Sequence, residues 1–169
     1  NTNGVGEYKT YVITENNEGR RKALQVFFVR NGIQYGSVNA SSVRGYNYFT
    51  GKEESFAAIG SLAVSSYQPK SSLVKVLFEP KSKLSDSATY DITAWGLPYV
   101  YGVQAYAVKE RLVLTSYNGQ GIKTNVAASA YGYLVNYNSF ADAKFLAALL
   151  EARIKVRFAE REFGFNGRT

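Results

Sequence analysis

The stretch DSATYDITAWGLPYVYG, residues 86–102, holds the only Trp of the chain, Trp95, and one of its three prolines, Pro98. Asp91 can cap a helix by accepting hydrogen bonds from the free N–H groups of the first turn. Pro98 predicts a break or kink in this helix, and Gly102 suits its C-terminal end. Four apolar side chains recur at the helical spacing of three and four: Ile92, Trp95, Tyr99 and Val103.

Two interpretations of the aromatic side chains in this stretch are open. In the first they form a buried plug between two layers, because each aromatic ring buries a large apolar area. In the second they line a ligand groove or an interface. The candidate residues for that role are Tyr90, Asp91, Trp95, Tyr99 and Tyr101.

Composition limits the chemistry of the chain. Its 169 residues suit one domain with a core of its own, and they include no His and no Cys. Ser-His-Asp and Cys-His catalysis are therefore excluded, and so is a conventional catalytic zinc site. Paired carboxylates, a Ser-Lys pair or an oxygen-ligand Mg²⁺ or Ca²⁺ site would remain for an enzyme.

The charge distribution argues against a nucleic-acid partner. The chain has 20 Lys and Arg against 13 Asp and Glu, a net charge of +7. The basic residues are spread over the sequence, and the longest run is Arg20-Arg21-Lys22. We interpret them as solvated faces and expect no nucleic acid. No apolar run is long enough to predict a membrane span.

Residues 8–38 have the pattern of a strand, a helix and a second strand. Tyr8–Ile13 and Ile33–Val38 are rich in β-forming residues, and Asn17–Arg30 has one apolar side. Such a β-α-β unit predicts parallel strands joined by a right-handed crossover. A further strand is predicted at Leu62–Tyr67 and a further helix at Ser71–Glu79.

The same order recurs near the end of the chain. A strand is predicted at 127–135, a helix capped by Ser139 with Asp142 three residues on, and a strand at 154–158. We interpret residues 1–169 as a single α/β domain with repeat-like halves, 8–80 and 127–169, joined by 81–126. The expected fold is three-layered, with a mostly parallel sheet and a partial internal repeat. The second half has no counterpart of 62–78, so the chain looks cut within it, unless that half is shorter by design.

No local motif points to nucleotide or paired-carboxylate chemistry. A phosphate-binding loop would need several glycines after the first strand, but Thr14–Gly19 is acidic and has one Gly. Four carboxylates lie near predicted strand ends, where α/β proteins place their sites: Glu7, Glu15, Asp91 and Asp142. Nothing in the sequence pairs any two of them.

Several short segments resemble a known family: Gln68-Pro69, Leu77–Pro80, Asp86-Ser87, Tyr90–Trp95, Leu97-Pro98 and Gly102-Val103. They are similar to the region after the catalytic domain in large bacterial carboxypeptidase A-like zinc metallopeptidases. The resemblance extends from about Tyr8 to Phe163. It implies a class I glutamine-amidotransferase-like module, a flavodoxin- or Rossmann-like fold.

The resemblance implies a module without catalytic activity. The zinc ligands of the family are two His and a Glu, and the amidotransferase activity needs a Cys-His pair, so no catalytic or metal residue carries over to this chain. The expected chain is an accessory domain of a periplasmic or secreted protein, with the parent peptidase domain as its partner. Zinc is expected only in that parent domain. The alternative is a peptide or cell-wall glycan binding module that uses Trp95 and nearby tyrosines.

Overall fold

The chain divides into two compact units, Asn1–Thr124 and Asn125–Thr169. The computed structural model describes residues 4–81, 96–117, 130–135 and 137–164. The described elements of the first unit are β1 (Thr10–Ile13), α1 (Glu18–Arg30), β2 (Gly36–Val38), β3 (Val43–Asn47), β4 (Glu53–Phe56), β5 (Ser61–Ser65), α2 (Ser71–Phe78), α3 (Leu97–Tyr101) and β6 (Ala105–Val108). The second unit contains α4 (Phe140–Glu151).

The strands form one sheet in the order β2-β5-β1-β6-β3-β4, and every neighbouring pair is antiparallel. The predicted three-layer, mostly parallel, glutamine-amidotransferase-like or Rossmann-like fold is therefore wrong. Since β5 pairs antiparallel with both β1 and β2, those two strands do point the same way. The β-α-β pattern thus predicted the relative direction of β1 and β2. It did not predict that β5 lies between them and pairs with both.

The second crossover leaves a gap of the same kind. β5 and β6 also point the same way, and β1 lies between them. Each split β-α-β unit thus inserts a strand into the other, which is the connectivity of the ferredoxin-like β-α-β-β-α-β arrangement. The β3–β4 hairpin is inserted between β2 and β5 in sequence, and it extends the sheet beyond β6.

Both long helices of the first unit contribute to the core on one face of the sheet. Tyr11 and Ile13 of β1 belong to the same buried cluster as residues of α1 and α2. The rings of Phe28 and Phe78, one from each helix, are 6.0 Å apart. A smaller cluster forms on the opposite face: Val12, Val38, Val43, Ala58, Ala63 and Val108. Two layers with helices on one face are the arrangement that an antiparallel sheet favours.

The opposite face is crossed by an extended segment, residues 110–115, which we call the strap. Thr10 Oγ1 donates a hydrogen bond to Glu110 O at 2.9 Å and accepts one from Leu112 N at 3.0 Å. Ser37 and Thr115 exchange both backbone hydrogen bonds, at 2.8 and 2.9 Å. Within the described residues, the strap therefore pairs with β2 at a single bridge.

The sequence predicted the ends of the first two helices. Asn17 caps α1 by accepting a hydrogen bond from Arg20 N at 3.0 Å, and α2 ends at Phe78, just before Pro80. The last strand in chain order, β6, is buried on both faces, with all four of its residues buried. Such a strand lacks the alternation of apolar and polar residues that marks a half-buried strand in a sequence.

The second unit has a helix between two segments whose described residues form no regular secondary structure. Ser139 caps α4 as predicted, with its Oγ 2.7 Å from the Asp142 carboxylate and accepting from Asp142 N at 3.3 Å. The strands predicted at 127–135 and 154–158 are absent from the described residues of these segments, and the side chains described there are exposed. No side chain of α4 is buried in the described part of the chain.

Candidate functional site

Helix α3 is the described end of the stretch that carries the only Trp. Pro98 lies in its first turn, where a missing N–H costs nothing, so Pro98 begins this helix instead of breaking a longer one. Gly102 ends it as predicted, in the left-handed conformation with φ at 58°. Tyr90, Asp91 and Trp95 lie outside the described residues, so their predicted roles stay predictions.

Tyr99 belongs to a set of four neighbouring phenol rings, which we call the tyrosine row. The Tyr99 ring lies 5.4 Å from that of buried Tyr48, edge to face. Tyr48 lies 6.0 Å from Tyr46, and Tyr46 lies 6.4 Å from Tyr8. Because Tyr46 and Tyr48 are two residues apart, they point to the same side of the chain. The sequence singled out Tyr99 as a candidate ligand or interface residue, a role that stays a prediction. It missed the other three tyrosines, since their proximity depends on the sheet order.

Tyr101 takes a different position from Tyr99. Its ring lies 6.3 Å from Phe27 of α1, and its side chain is half-buried. Tyr99 is 45% exposed, and its ring lies edge to face with that of Tyr48, which follows β3. The two tyrosines therefore pack against different elements, and they do not share one cluster of stacked rings in the described part of the structure.

Three phenols of the tyrosine row have pKa values above the ordinary value: those of Tyr8, Tyr48 and Tyr99. Burial raises the pKa of Tyr48 well above its ordinary value, and its hydroxyl donates to the backbone carbonyl of Phe78. Burial raises the pKa of Tyr99, with a further contribution from Tyr46. Burial and the negative charge of Glu7 raise the pKa of Tyr8. At neutral pH these groups therefore act as hydrogen-bond donors and apolar surface, not as bases.

An exposed ion cluster adjoins the tyrosine row at Tyr8. Lys109 Nζ lies 2.8 Å from the Glu7 carboxylate, 4.0 Å from that of Glu53 and 5.8 Å from the centre of the Tyr8 ring. The hydrogen bond to Glu7 raises the pKa of Lys109. Exposed pairs of this kind contribute little to stability, so the cluster positions charge at the surface more than it holds the fold together.

Glu15 and Arg20 tie the start of α1 to the segment between α3 and β6. Arg20 Nη1 donates to Gly102 O at 2.6 Å and lies 3.6 Å from the Glu15 carboxylate. That carboxylate also accepts hydrogen bonds from Asn17 N at 2.7 Å and Gln104 N at 3.3 Å. Both carboxylate oxygens of Glu15 therefore have partners within the fold, and its role is structural.

Three of the four carboxylates predicted near strand ends are described, and each has a partner of its own. Glu7 pairs with Lys109, Glu15 binds Arg20, and Asp142 in the second unit accepts a hydrogen bond from Ser139 Oγ at the start of α4. Asp91 lies outside the described residues. Within the described ranges, no group of three His, Cys, Asp or Glu side chains is placed to hold a metal ion.

A groove of about 680 Å³ lies between the strap and the neighbouring ends of β2 and β5. The guanidinium of Arg111 lies 4.3 Å above the Tyr67 ring at this groove. One end is braced by buried Gln68, whose amide accepts from Gln34 N at 2.7 Å and donates to Gln34 O at 2.9 Å. Sequence reasoning missed this groove, because its residues are far apart in the chain and form no local motif.

The chain matches no family model, no curated protein and no solved structure. Among the described residues, no helix is long and apolar enough to cross a membrane. The resemblance to the region after a zinc peptidase domain therefore stays a prediction.

Proposed function

We propose that this chain is a catalytically inert module of a secreted or periplasmic zinc carboxypeptidase-like protein, where it supports the peptidase domain or presents substrate to it. One observation carries the proposal: the 169 residues include neither His nor Cys. The usual general base, the usual thiol nucleophile and the usual zinc ligands are thus missing from the side chains available. The raised pKa values of Tyr8, Tyr48 and Tyr99 agree with this, since protonated phenols bind and pack but do not abstract protons.

Three of the described residues that carry the resemblance are buried in the core: Leu97, Val103 and Phe78. Leu97 begins the short helix α3 and is 4% exposed, and Val103 follows that helix and is 0% exposed. Phe78 is fully buried, and its carbonyl accepts the Tyr48 hydroxyl. Buried residues of this kind agree with a supporting module. A packed core keeps the surface of such a module in one conformation, and that surface would make the contact with the peptidase domain.

The surface of α3 is the proposed contact face for the peptidase domain. Tyr99 is 45% exposed and Val100 is 59% exposed, on a helix of five residues. The buried neighbour Tyr48 fixes the Tyr99 ring from below. Rigid aromatic side chains with an exposed face are enriched at protein interfaces, because they bury much area for little lost rotamer entropy.

The test joins or mixes the chain with the peptidase domain of its parent protein. We expect the chain to raise the melting temperature of that domain, and Tyr99→Ala or Val100→Ser to reduce the increase. Val29→Ser is the matched control, because Val29 is 67% exposed on α1. Zinc-dependent hydrolysis of a peptide by the chain alone would contradict the proposal, as would equal effects of Val100→Ser and Val29→Ser.

A second candidate function is binding of peptide or cell-wall glycan at Trp95 and the nearby tyrosines. The observation in its favour is the exposed ring of Tyr99, held on Tyr48, which offers a flat apolar surface of the kind that sugar rings and peptides stack on. Peptidoglycan fragments should quench the fluorescence of Trp95 and lose affinity for Tyr99→Ala. Unchanged fluorescence at saturating fragment concentrations would exclude this function.

A further inference from the structure

We propose that the groove beside the strap binds the C-terminal carboxylate of an extended peptide, with Arg111 as the anion-binding residue. This site is distinct from the proposed contact face on α3, and the proposal goes beyond the support of a peptidase domain. It rests on the geometry of Arg111, on the rigid walls of the groove and on the open backbone of the strap.

Arg111 contacts an aromatic ring and has no anionic partner among the described residues. Its guanidinium carbon lies 4.3 Å from the centre of the Tyr67 ring, a cation–π contact. Among the described residues, no carboxylate lies within ion-pair distance of it. The N–H donors at its edge are therefore available, and their planar fork matches the two oxygens of a carboxylate.

The polar wall of the groove is rigid and offers a second donor. Gln68 is 3% exposed and donates to Ser65 O at 2.8 Å, in addition to its two bonds with Gln34. Ser65 Oγ accepts a hydrogen bond from Tyr67 N at 3.1 Å, which leaves its own O–H free to donate. A cation and a hydroxyl in one groove favour an anion that needs directional hydrogen bonds.

The strap indicates that the anion belongs to an extended peptide. It lines the groove as an extended segment, and Val113 is 85% exposed. The backbone N–H and C=O groups of Val113 and Leu114 have no hydrogen-bond partner within the described residues. Open backbone groups on an extended segment pair with another extended chain, as in strand addition to a sheet edge. The volume of about 680 Å³ is in the range of natural ligand sites.

The experiment uses the full chain and two versions of one probe, acetyl-Val-Ala-Ala with a free carboxylate and the same peptide as its amide. Isothermal titration should show binding of the acid and roughly tenfold to a hundredfold weaker binding of the amide, the loss expected for one charge-assisted hydrogen-bonded pair. Arg111→Gln should weaken binding of the acid to the same extent and leave the amide unaffected. Arg44→Gln, which removes an exposed Arg from β3, is the matched control and should bind as the wild type does.

Three results would overturn the proposal: equal affinity for acid and amide, unchanged affinity of Arg111→Gln for the acid, or no binding of the acid by the wild-type chain. The comparison of acid and amide needs no variant, so it stays decisive if Arg111→Gln folds poorly. Amide NMR shifts centred on Gln34, Val113 and Leu114 would support the site, whereas shifts centred on Tyr99 would contradict it. Failure here leaves the support of a peptidase domain to its own test with Val100→Ser.

Discussion

Helices α1 and α4 both begin at a side-chain cap, but their apolar side chains have different surroundings. Leu24 and Phe28 of α1 are fully buried against the sheet. In α4, Phe145 is 47% exposed and Leu150 is 59% exposed. Similar local patterns have therefore produced a core in the first unit and an exposed helix in the second.

The two units differ in whether a paired strand lies beside the segments that flank the helix. In the first unit, β5 lies between β1 and β2 and pairs with both, so the crossover helix rests on a continuous sheet. In the second unit, the segments 130–135 and 154–158 have no paired strand among the described residues. A helix can start from local capping alone, whereas a strand needs a partner for its backbone groups.

The largest effect that separates the two units is expected from truncating one aromatic side chain in each. Phe28→Ala should lower the free energy of unfolding of the first unit by about 3–5 kcal/mol, because it leaves a cavity next to Phe78 and Tyr35. Phe145→Ala should change the free energy of unfolding of the second unit by no more than about 0.5 kcal/mol, since that side chain is half exposed. Urea unfolding followed by circular dichroism measures both, and equal losses would show that the two helices are equally buried.

Two glycines test the strap against the second unit. A Cβ at Gly36 would lie 2.5 Å from Thr115 O, so Gly36→Ala should displace the strap and cost about 1–3 kcal/mol. A Cβ at Gly132 would meet nothing within 4 Å, so Gly132→Ala is the control. Hydrogen exchange at the Ser37 and Thr115 amides should accelerate only in Gly36→Ala. Unchanged protection there would mean that the strap is not held at this bridge.

Alkaline pH should destabilise the first unit through its buried phenols. Burial raises the pKa of Tyr48 in the folded state, so above about pH 10 the unfolded chain loses its proton first and folding becomes less favourable. The stability is fully present below that pH and should fall by up to about 1.4 kcal/mol per pH unit for each such phenol. Tyr48→Phe should flatten this decline when unfolding is measured from pH 8 to 11. An identical slope in the variant would show that Tyr48 does not cause it.

The smallest effect is expected at the helix caps. Asn17→Ala and Ser139→Ala should each cost about 1 kcal/mol, because each removes a side-chain acceptor from a first turn. The α1 helix should persist, since its buried side holds it, whereas α4 should lose helical content measurable by circular dichroism. Ser139→Thr keeps the cap and should restore the signal. If Ser139→Ala keeps full helicity, α4 is stabilised by packing.

The sequence predicted what depends on neighbouring residues. The start of the first helix at Asn17, the Ser139 and Asp142 pair and the stop at Gly102 all depend on residues within one helical turn, so their spacing is visible in the chain. The sheet order could not be read in this way, because the insertion of β5 beside β1 is decided by tertiary packing. The parallel sheet was expected because a β-α-β unit makes its two strands point the same way. Two strands that point the same way can pair directly, or they can leave room for an antiparallel strand between them, as β1 and β2 do.

The candidate sites show the same division. Tyr99 stood out because it lies in an aromatic stretch. Its neighbours come from distant parts of the chain, because Tyr8 precedes β1, whereas Tyr46 lies in β3 and Tyr48 follows it. Arg111 gave no signal at all, since a single Arg at the end of the short charged run 109–111 is typical of a solvated surface. Only the path of the strap brings it over Tyr67.

The position of β6 has a consequence for synthesis on the ribosome. This strand is the last of the six in sequence, yet it lies in the middle of the sheet between β1 and β3. Until residues 105–108 emerge, the hairpin of β3 and β4 cannot join the strands around β1, and the nascent chain holds two separate sheet fragments with open edges. Closure of the fold thus waits for a segment made late, and a chain that stalls before it would expose those edges to pairing with other molecules.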